Sequence, residues 1–378
     1  TAANHSRDQF HIVKAAVDRT GFILALDDEF WYDQGAYVRT HAATVPEMTA
    51  SMLPGPYVIP AYRSVGHIRL TNKTPAGTYR APGRFEGTFV RERLMDEISR
   101  QLGYDPIKLR RVNFIPSVDM PFDRQVDALG TKVVYDSGVY EDLLDRLLSY
   151  VGYENLCREL ESRKQIGESV GLGIAYFVEK SGLGPFDDVV LYLYENGILE
   201  IVTGAASVGQ GVETILAQIC ADSLGVSFED IRVVHGQTDR ISRGMGAFAS
   251  RVSVMTGSAV HIAAEEFRDK ILSLHSRITG ISSDDLTIAE GKIKEINNIS
   301  NGISLAEFVK SVPAEDSQMS SQGKTISVQS EFNSTHMTYP YGIHLVVTRI
   351  DKDCAAIELE RMVVAYDVGR AINPLLIE

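Results

Sequence analysis

Strand patterns and helix patterns follow one another along this chain without strict strand–helix–strand alternation. Residues 9–37 carry short β-branched and aromatic stretches on either side of a turn signal, which predicts an antiparallel hairpin. Residues 62–71 predict a further strand, residues 84–102 a helix and residues 140–164 a long charged helix. This order favours an α+β fold over a single doubly wound parallel sheet.

The second half of the chain is richer in strand patterns. Helices are predicted over residues 212–224 and 252–274, and strands over residues 169–180, 187–197, 197–205, 230–236, 342–351 and 355–369. A chain of 378 residues is too long for one hydrophobic core. We therefore expect two domains, residues 1–135 and 136–378, each combining sheet and helices.

The first convincing helix has apolar residues spaced mostly four apart, which predicts a buried face made of Phe85, Phe89, Leu94, Ile98 and Leu102. The acidic residues of the same helix are predicted to form a solvated or ion-paired face: Glu86, Glu92, Asp96 and Glu97. Asp105 and Pro106 then predict the start of a short second helix, because the Asp side chain can accept early amide protons and Pro has none to offer.

Composition excludes some classes of partner. The net charge of -13 argues against a surface built to bind nucleic acid or anionic lipid, since both need clustered Lys and Arg. Three widely spaced cysteines fit neither a disulfide framework nor a CxxC metal site, so a reducing cytoplasm is expected. The sequence has no membrane-span pattern, signal peptide or starting Met, and it ends soon after a strand. We therefore expect it to be a piece of a longer protein.

The loop GAASVGQG, residues 204–211, lies between a predicted strand and a predicted helix. Its context is that of a phosphate cradle, because glycines allow close backbone approach and a helix start offers free amides. The spacing imitates the nucleotide P-loop, but Gln210 and Gly211 replace the Lys and the Ser or Thr, which disfavours ATP hydrolysis. A plain strand-to-helix turn is the simpler alternative.

A second stretch, GMGAFASRVSVMTGSAV, also has glycines and small residues before a helix, which is predicted to begin near Ser250. Two such loops in one domain could converge on one large anionic cofactor. The alternative is that Gly257 and Ala259 only permit close helix packing.

Several segments together resemble the large subunits of xanthine dehydrogenase, aldehyde oxidase and carbon monoxide dehydrogenase. They are residues 71–115, the GQG loop with LAQICADSLGVSFEDIRVVHGQTD, the FASR segment and DVGRAINP. The resemblance covers nearly the whole chain, and the shared order of the motifs makes it specific. It implies two molybdopterin-binding domains, the first lacking its N-terminal part and the second its C-terminal catalytic segment.

The same resemblance implies a molybdopterin cofactor, in a dinucleotide form, whose molybdenum centre hydroxylates an aldehyde or N-heterocycle carbon with oxygen from water. Electrons would leave through iron–sulfur clusters to FAD on other domains or subunits, with a second large-subunit chain as a further partner. Gln210 would be the catalytic residue, donating to an oxo ligand. The implied cofactor-binding residues are Arg80, Ala81, Gly209, Gln210, Gly211, Phe248, Ala249, Ser250, Arg251 and Val252.

Departures from the family pattern reduce the number of family activities expected of this chain. Where carbon monoxide dehydrogenases have a copper-bearing Cys, this chain has Ala81, whose methyl group cannot bind metal. Pro82 offers a smaller face than the aromatic residue of xanthine-oxidising relatives. The family's GGxFGxK loop and its GxGE loop, which carries the general-base glutamate, are both absent from the sequence. The chain is therefore expected to be inactive alone. Alternatives are a non-enzymatic half-site subunit completed by a partner chain and a P-loop enzyme.

Overall fold

The computed structural model describes residues 7–39 and 41–377, apart from the side chain of Ile299. The chain forms two compact units. Unit 1 comprises the chain up to Lys180 together with the later segment Thr338–Gly369. Unit 2 comprises Ser181–Met337 and the residues from Arg370 onwards. The predicted division between residues 135 and 136 concerns the family's domains and stays a prediction. The α+β class is confirmed.

The strands in chain order are β1 Gln9–Val17, β2 Ile23–Gly35, β3 Ala61–Leu70, β4 Phe122–Ala128, β5 Thr131–Tyr135, β6 Ser169–Val178, β7 Phe186–Tyr194, β8 Leu199–Thr203, β9 Ile231–His235, β10 Leu286–Ala289, β11 Lys292–Glu295, β12 Asn298–Ser304, β13 Gln318–Ser320, β14 Gly323–Asn333, β15 Tyr341–Ile350 and β16 Ile357–Asp367. The α-helices are α1 Thr44–Met52, α2 Arg84–Leu102, α3 Pro106–Asn113, α4 Tyr140–Val151, α5 Tyr153–Gln165, α6 Val212–Leu224, α7 Gly257–Thr279, α8 Leu305–Ser311 and α9 Pro374–Ile377.

The described residues of unit 1 form three small sheets. The predicted hairpin is present as β1 and β2, and β3 pairs with β2 in parallel. Strands β4 and β5 form a short antiparallel pair, and β6, β15 and β16 form an antiparallel sheet with β15 in the centre. Asp105 caps α3 as predicted, because its side chain accepts from the amides of Ile107 and Lys108 at 2.9 and 2.8 Å.

Helix α2 has the predicted bounds, and Ile98 of the predicted face is buried, but Phe85, Phe89 and Leu102 are exposed. Phe85 and Phe89 are 56% and 66% exposed, whereas Glu86 and Glu92 are buried. Both acids are paired with arginines: Glu86 with Arg7, and Glu92 with Arg91 and Arg110. The helical spacing of residues does not indicate any of these pairs. Ion pairing of these acids was among the expectations, but the burial of these two carboxylates was not.

Glu92 is the centre of a buried charge network that joins α2 to α3. Its carboxylate accepts from Arg91 Nε at 2.9 Å, from Arg110 Nε at 3.1 Å and from the Tyr57 hydroxyl at 3.1 Å. Arg110 also donates to Asp96 at 2.9 Å. A charge removed from water is tolerated only with such partners, which explains why these groups are buried together.

The predicted long helix over residues 140–164 is in fact two helices, α4 and α5, which are separated at Gly152. This glycine has a φ of 63°, a left-handed conformation that ends an α-helix, and its amide closes the last turn of α4. The helical pattern on both sides was recognised correctly, but the break was missed.

Unit 2 is built on the sheet β13-β14-β7-β8-β9, with β8 and β9 parallel and the other neighbours antiparallel. Alternate residues of β7 point to opposite faces, so Leu191 joins the main core with α6 and α7 while Val190 packs with Ile241 on the other face. The sheet β10-β11-β12 and the strand β14, which were not predicted, complete the unit.

One face of the sheet in unit 1 remains exposed along its edge strand β16. A bulge between Leu359 and Arg361 shifts the alternation, so that the exposed apolar side chains before and after it share a face. These side chains are Ile357, Leu359, Met362, Val364 and Tyr366. In the described ranges, every helix is too short or too polar to cross a lipid bilayer.

Candidate cofactor-binding site

The glycine loop of unit 2 connects β8 to α6, as the sequence predicted. Gly209 and Gly211 have φ angles of 92° and 80°, a region that favours glycine over other residues. A Cβ atom on either residue would meet no atom within 4 Å. The loop therefore presents open backbone at the start of α6, where a ligand could approach closely.

The Gln210 side chain is exposed and folded back on its own loop. Its Oε1 accepts from the amide of Val208 at 2.6 Å, and its Nε2 donates to the carbonyl of Ala206 at 3.3 Å. Because both ends of the amide group are held, its orientation is fixed by the loop. One of its two N–H bonds is sufficient for the contact to Ala206, so the other is left for a ligand.

A group of polar contacts around Glu213, beside this loop, was missed by sequence reasoning. The Glu213 carboxylate contacts Ser207 Oγ at 3.0 Å and His235 Nε2 at 2.9 Å. The Glu213 backbone amide, His235 and Ser207 together hold the pKa of this carboxyl below its usual value. Because α6 already has this carboxylate in its first turn, a phosphate at the same helix start is disfavoured, contrary to the P-loop alternative. An acid two residues after a glycine that starts a helix is the signal that could have revealed it.

The second predicted segment precedes α7. Ala249 and Ser250 have φ angles of 47° and 52°, uncommon for residues with a side chain. A π-helical turn, Val252–Thr256, then leads into α7 at Gly257, so the α-helix begins later than the predicted start near Ser250. Left-handed residues of this type occur preferentially at functional sites, because they persist only where their surroundings hold them.

Arg251 is held inside unit 2. Its guanidinium is 0% exposed and donates to the carbonyl groups of Leu183, Phe186 and Gly246 at 3.0, 2.6 and 3.1 Å, and to the Asp187 carboxylate at 3.0 Å. Cofactor binding at Arg251 stays a prediction, although all of these side-chain contacts are made within unit 2. Arg251 braces the segment from within, and only the backbone at this position remains for a ligand.

The two loops meet. A Cβ atom on Gly204 would lie 2.3 Å from the Cα of Gly244, and the amide of Gly246 donates to the carbonyl of Gly204 at 3.2 Å. Gly246 also has a positive φ and open space above it. Unit 2 thus brings together two of the three predicted segments, those of residues 204–211 and 244–252.

The third segment belongs to unit 1. Arg80 is exposed in the connection between β3 and α2, and Ala81 has a left-handed φ of 49°. Gly83 follows with a φ of 75°, and a Cβ atom there would come within 2.3 Å of the carbonyl oxygen of Val45. Glycine is thus required at the residue that caps α2.

The donors fit a large organic cofactor better than a bare metal ion. Residues 7–39 and 41–377 contain no group of three or more His, Cys, Asp or Glu that could hold a metal. The loops offer backbone amides in left-handed turns, open space above three glycines and one neutral side-chain amide. Such a set suits the ring of the pterin that the resemblance implies.

Comparison with known proteins gives the same assignment. A family model described as "Molybdopterin cofactor-binding domain" matches residues 146–378, and a second model of the same description matches residues 1–114. The gamma subunit of the 6-hydroxypseudooxynicotine dehydrogenase complex of Paenarthrobacter nicotinovorans is 33% identical over 375 residues, covering 99% of this chain and 47% of the relative. The nicotine 6-hydroxylase large subunit of the same organism is 28% identical, covering 100% and 47%.

A solved structure is also similar. Quinoline 2-oxidoreductase from Pseudomonas putida 86 has a TM-score of 0.87 and 27% identity, and the match covers 99% of this chain and 49% of that one. The chain spans about half the length of the curated relatives it matches. With its two matching family models, its fold and its converging glycine loops, the chain belongs to the large-subunit family of molybdenum hydroxylases, whose domains bind molybdopterin.

Proposed function

We propose that this chain is the molybdopterin-binding portion of a molybdenum hydroxylase that acts on an aldehyde or N-heterocycle carbon. The observation that carries the proposal is the contact between the loops 204–211 and 244–252, both with left-handed backbone, in a chain of this family. Two backbone surfaces in contact can hold one large ligand, which neither loop could enclose alone.

Each predicted residue has a role in this proposal. Gly209 and Gly211 would let the pterin approach the backbone, and the second N–H of the Gln210 amide would donate to an oxygen of the molybdenum centre. The backbone of residues 248–252 binds the pterin and its phosphates, and Arg251 acts by bracing that backbone. Arg80 and Ala81 are the cofactor-binding residues that we propose in unit 1. We keep residues 1–135 and 136–378 as the two cofactor-binding domains.

When bound, the cofactor supplies oxidation of a carbon centre by two electrons, with oxygen taken from water. The chain's own residues hold and orient the cofactor, and none of them is assigned the role of general base. We propose that the glutamate for this role, the iron–sulfur clusters and FAD come from other segments or subunits, that the cofactor is a dinucleotide form, and that the assembly is an oligomer in the cytoplasm. The isolated chain would then bind without turnover.

The substrate class is narrowed by the names of the relatives. Nicotine 6-hydroxylase and quinoline 2-oxidoreductase are named for N-heterocyclic compounds. We propose that an N-heterocycle is a better candidate here than carbon monoxide, because Ala81 has no metal-binding group.

Cofactor binding can be tested on the 378-residue chain produced in a host that makes the molybdenum cofactor. Pterin and molybdenum per chain would be measured for the native chain, for Gly211→Ala and for the control Gly280→Ala. Both glycines have left-handed φ angles, 80° and 79°, and open space, but Gly280 ends α7 outside the loops. We expect cofactor in the native and control chains and at least a tenfold loss in Gly211→Ala, a change of about 1.4 kcal/mol in binding.

The alternatives predict other results. Cofactor that appears only when other subunits are co-produced would favour a half-site completed by a partner chain. Tight binding of Mg-ATP in a calorimetric titration would favour the P-loop enzyme. Equal loss of cofactor in both glycine variants would remove the glycine loop from the site.

A further inference from the structure

Arg7 contacts the loop that carries Arg80 and Ala81. Its Nη1 donates to the carbonyl of Tyr79 at 3.1 Å and to the carbonyl of Arg80 at 3.3 Å. The side chain is only 7% exposed, although the residue lies 72 positions before Tyr79 in the sequence. A guanidinium presents its N–H groups in a fixed planar arrangement, so one side chain can hold two successive carbonyl groups in place.

Glu86 holds Arg7 from the other side. Arg7 Nε lies 2.9 Å from Glu86 Oε1, and the Glu86 side chain is 6% exposed. Burial raises the pKa of Glu86, although Arg7 and the backbone amides at the start of α2 act in the opposite direction. The Arg7 guanidinium also lies 5.0 Å from the centre of the Phe85 ring. Both residues that fix Arg7 belong to the first turn of α2, directly after the loop.

The loop needs such support. Ala81 has a φ of 49°, a left-handed conformation that costs a residue with a Cβ atom about 1 kcal/mol. An unfavourable conformation persists only where neighbouring contacts determine it. One of these is local, from the amide of Phe85 to the carbonyl of Ala81 at 3.3 Å. Arg7 supplies contacts to the two residues immediately before Ala81.

We propose that Arg7 is a positioning residue of the cofactor site, which Glu86 orients and which holds the backbone of Tyr79 and Arg80 in the conformation that the cofactor meets. The inference rests on the proposed function, because it assumes that Arg80 and Ala81 line the site. Arg7 acts through the loop and does not itself touch the cofactor.

The Arg80–Ala81 bond offers a direct probe, since Arg80 is exposed and trypsin cleaves after arginine. Cleavage at this bond and hydrogen exchange of residues 79–83 would be measured in the native chain, Arg7→Gln, Glu86→Gln and Arg7→Lys. Arg19→Gln is the matched control, because Arg19 is an exposed arginine in the turn between β1 and β2. Exchange in β3 would be followed in parallel as a measure of general unfolding.

We expect about tenfold faster cleavage in Arg7→Gln, the effect of losing charge-assisted hydrogen bonds in a local opening. Glu86→Gln should show a smaller increase, and Arg7→Lys should recover part of the protection because it keeps the charge beside Glu86. Unchanged cleavage in Arg7→Gln would overturn the proposal, and so would an increase that β3 shares equally, since that would indicate general loosening.

A separate arm tests the function on which the proposal rests. Molybdenum cofactor released from a purified molybdenum enzyme would be added to the native chain before trypsin. Protection of the Arg80–Ala81 bond supports a cofactor at this loop, and we expect Arg7→Gln to need more cofactor for the same protection. If Arg7→Gln speeds cleavage but cofactor protects no variant, Arg7 does hold the loop in place. The proposal that Arg7 serves a cofactor site is then overturned.

Discussion

Gly244 stands where unit 2 has no room for a side chain, because a Cβ atom on it would lie 2.5 Å from the Cα of Gly204. The contact joins the loop after β8 to the segment before α7. Neither glycine has a positive φ, so the requirement for glycine here is one of space and not of backbone conformation.

Gly244→Ala should therefore separate the two loops. We expect a loss of about 2 kcal/mol in the free energy of unfolding, because the displaced atoms are backbone and cannot rotate away. Gly173→Ala is the control, since a Cβ atom there meets nothing within 4 Å and its φ is ordinary. Urea denaturation of both variants checks the difference, and a loss of stability in Gly244→Ala no larger than that in Gly173→Ala would contradict the expected clash.

Arg251→Lys should destabilise unit 2 by about 3 kcal/mol, because a single ammonium group cannot replace the contacts of the buried guanidinium and leaves Asp187 poorly paired. Arg243→Lys is the matched control. Arg243 also pairs with a buried carboxylate, Asp188, through two 2.9 Å hydrogen bonds, but its own side chain is 48% exposed. The loss of stability in Arg243→Lys should therefore be much smaller than in Arg251→Lys. Thermal unfolding of both would show whether burial decides the effect.

Lys180 should make stability depend on pH in the alkaline range. Its Nζ donates to the Ala128 carbonyl and to Thr131 Oγ1, both at 2.6 Å, and burial lowers the pKa to about 8 from 10.5. Between these values the unfolded chain keeps the proton that the folded chain has lost. The free energy of unfolding should therefore rise with pH from 8 to 10.5, by about 3 kcal/mol in total.

The comparison for this effect is Lys180→Met, which has no group to titrate, with Lys108→Met as an exposed control. The native chain should gain stability over Lys180→Met across the window and show no such gain over Lys108→Met. Parallel pH profiles for the native chain and Lys180→Met would mean that the ammonium group stays protonated when the chain is folded.

Gln210→Ala, made in the complete complex, should lower turnover more than it lowers molybdenum content. The side chain bonds mainly to its own loop and has one outward N–H, so it is expected to tune the metal centre more than to hold the cofactor. Parallel measurements of molybdenum per chain and of kcat test this. Equal loss of metal and activity would assign Gln210 to cofactor retention.

Sequence patterns predicted elements well where local residues determine them. Helix α6 has the predicted bounds because Gly211 and Gly225, both left-handed, flank it. The predicted start of α7 was too early because Ala249 and Ser250 adopt left-handed φ angles, which the residue types alanine and serine do not predict. Their conformation depends on tertiary contacts such as those of Arg251, which no local pattern contains.

Long-range pairing explains the other errors. The buried face of α2 was misassigned because Arg7 and Arg110 neutralise acids that a helical pattern places in water. Strand β14 pairs with β7 more than 130 positions earlier, and the alternation of its Ile326, Val328 and Phe332 was missed. For the candidate site, the glycine motifs predicted the loops, and the position of Glu213 after Gly211 was a sequence signal that was missed. The contacts of Arg7 with Tyr79 and Arg80 join residues more than 70 positions apart and have no local signal.

The exposed face of β16 sets the conditions under which this chain can be handled. Five large apolar side chains on one side of an edge strand form an exposed hydrophobic stripe. The unpaired backbone groups of the strand edge can also hydrogen-bond to another strand. At the concentrations used for spectroscopy, such a stripe favours association of identical chains over dispersal. Light scattering of the 378-residue chain therefore reports whether this exposed face drives association.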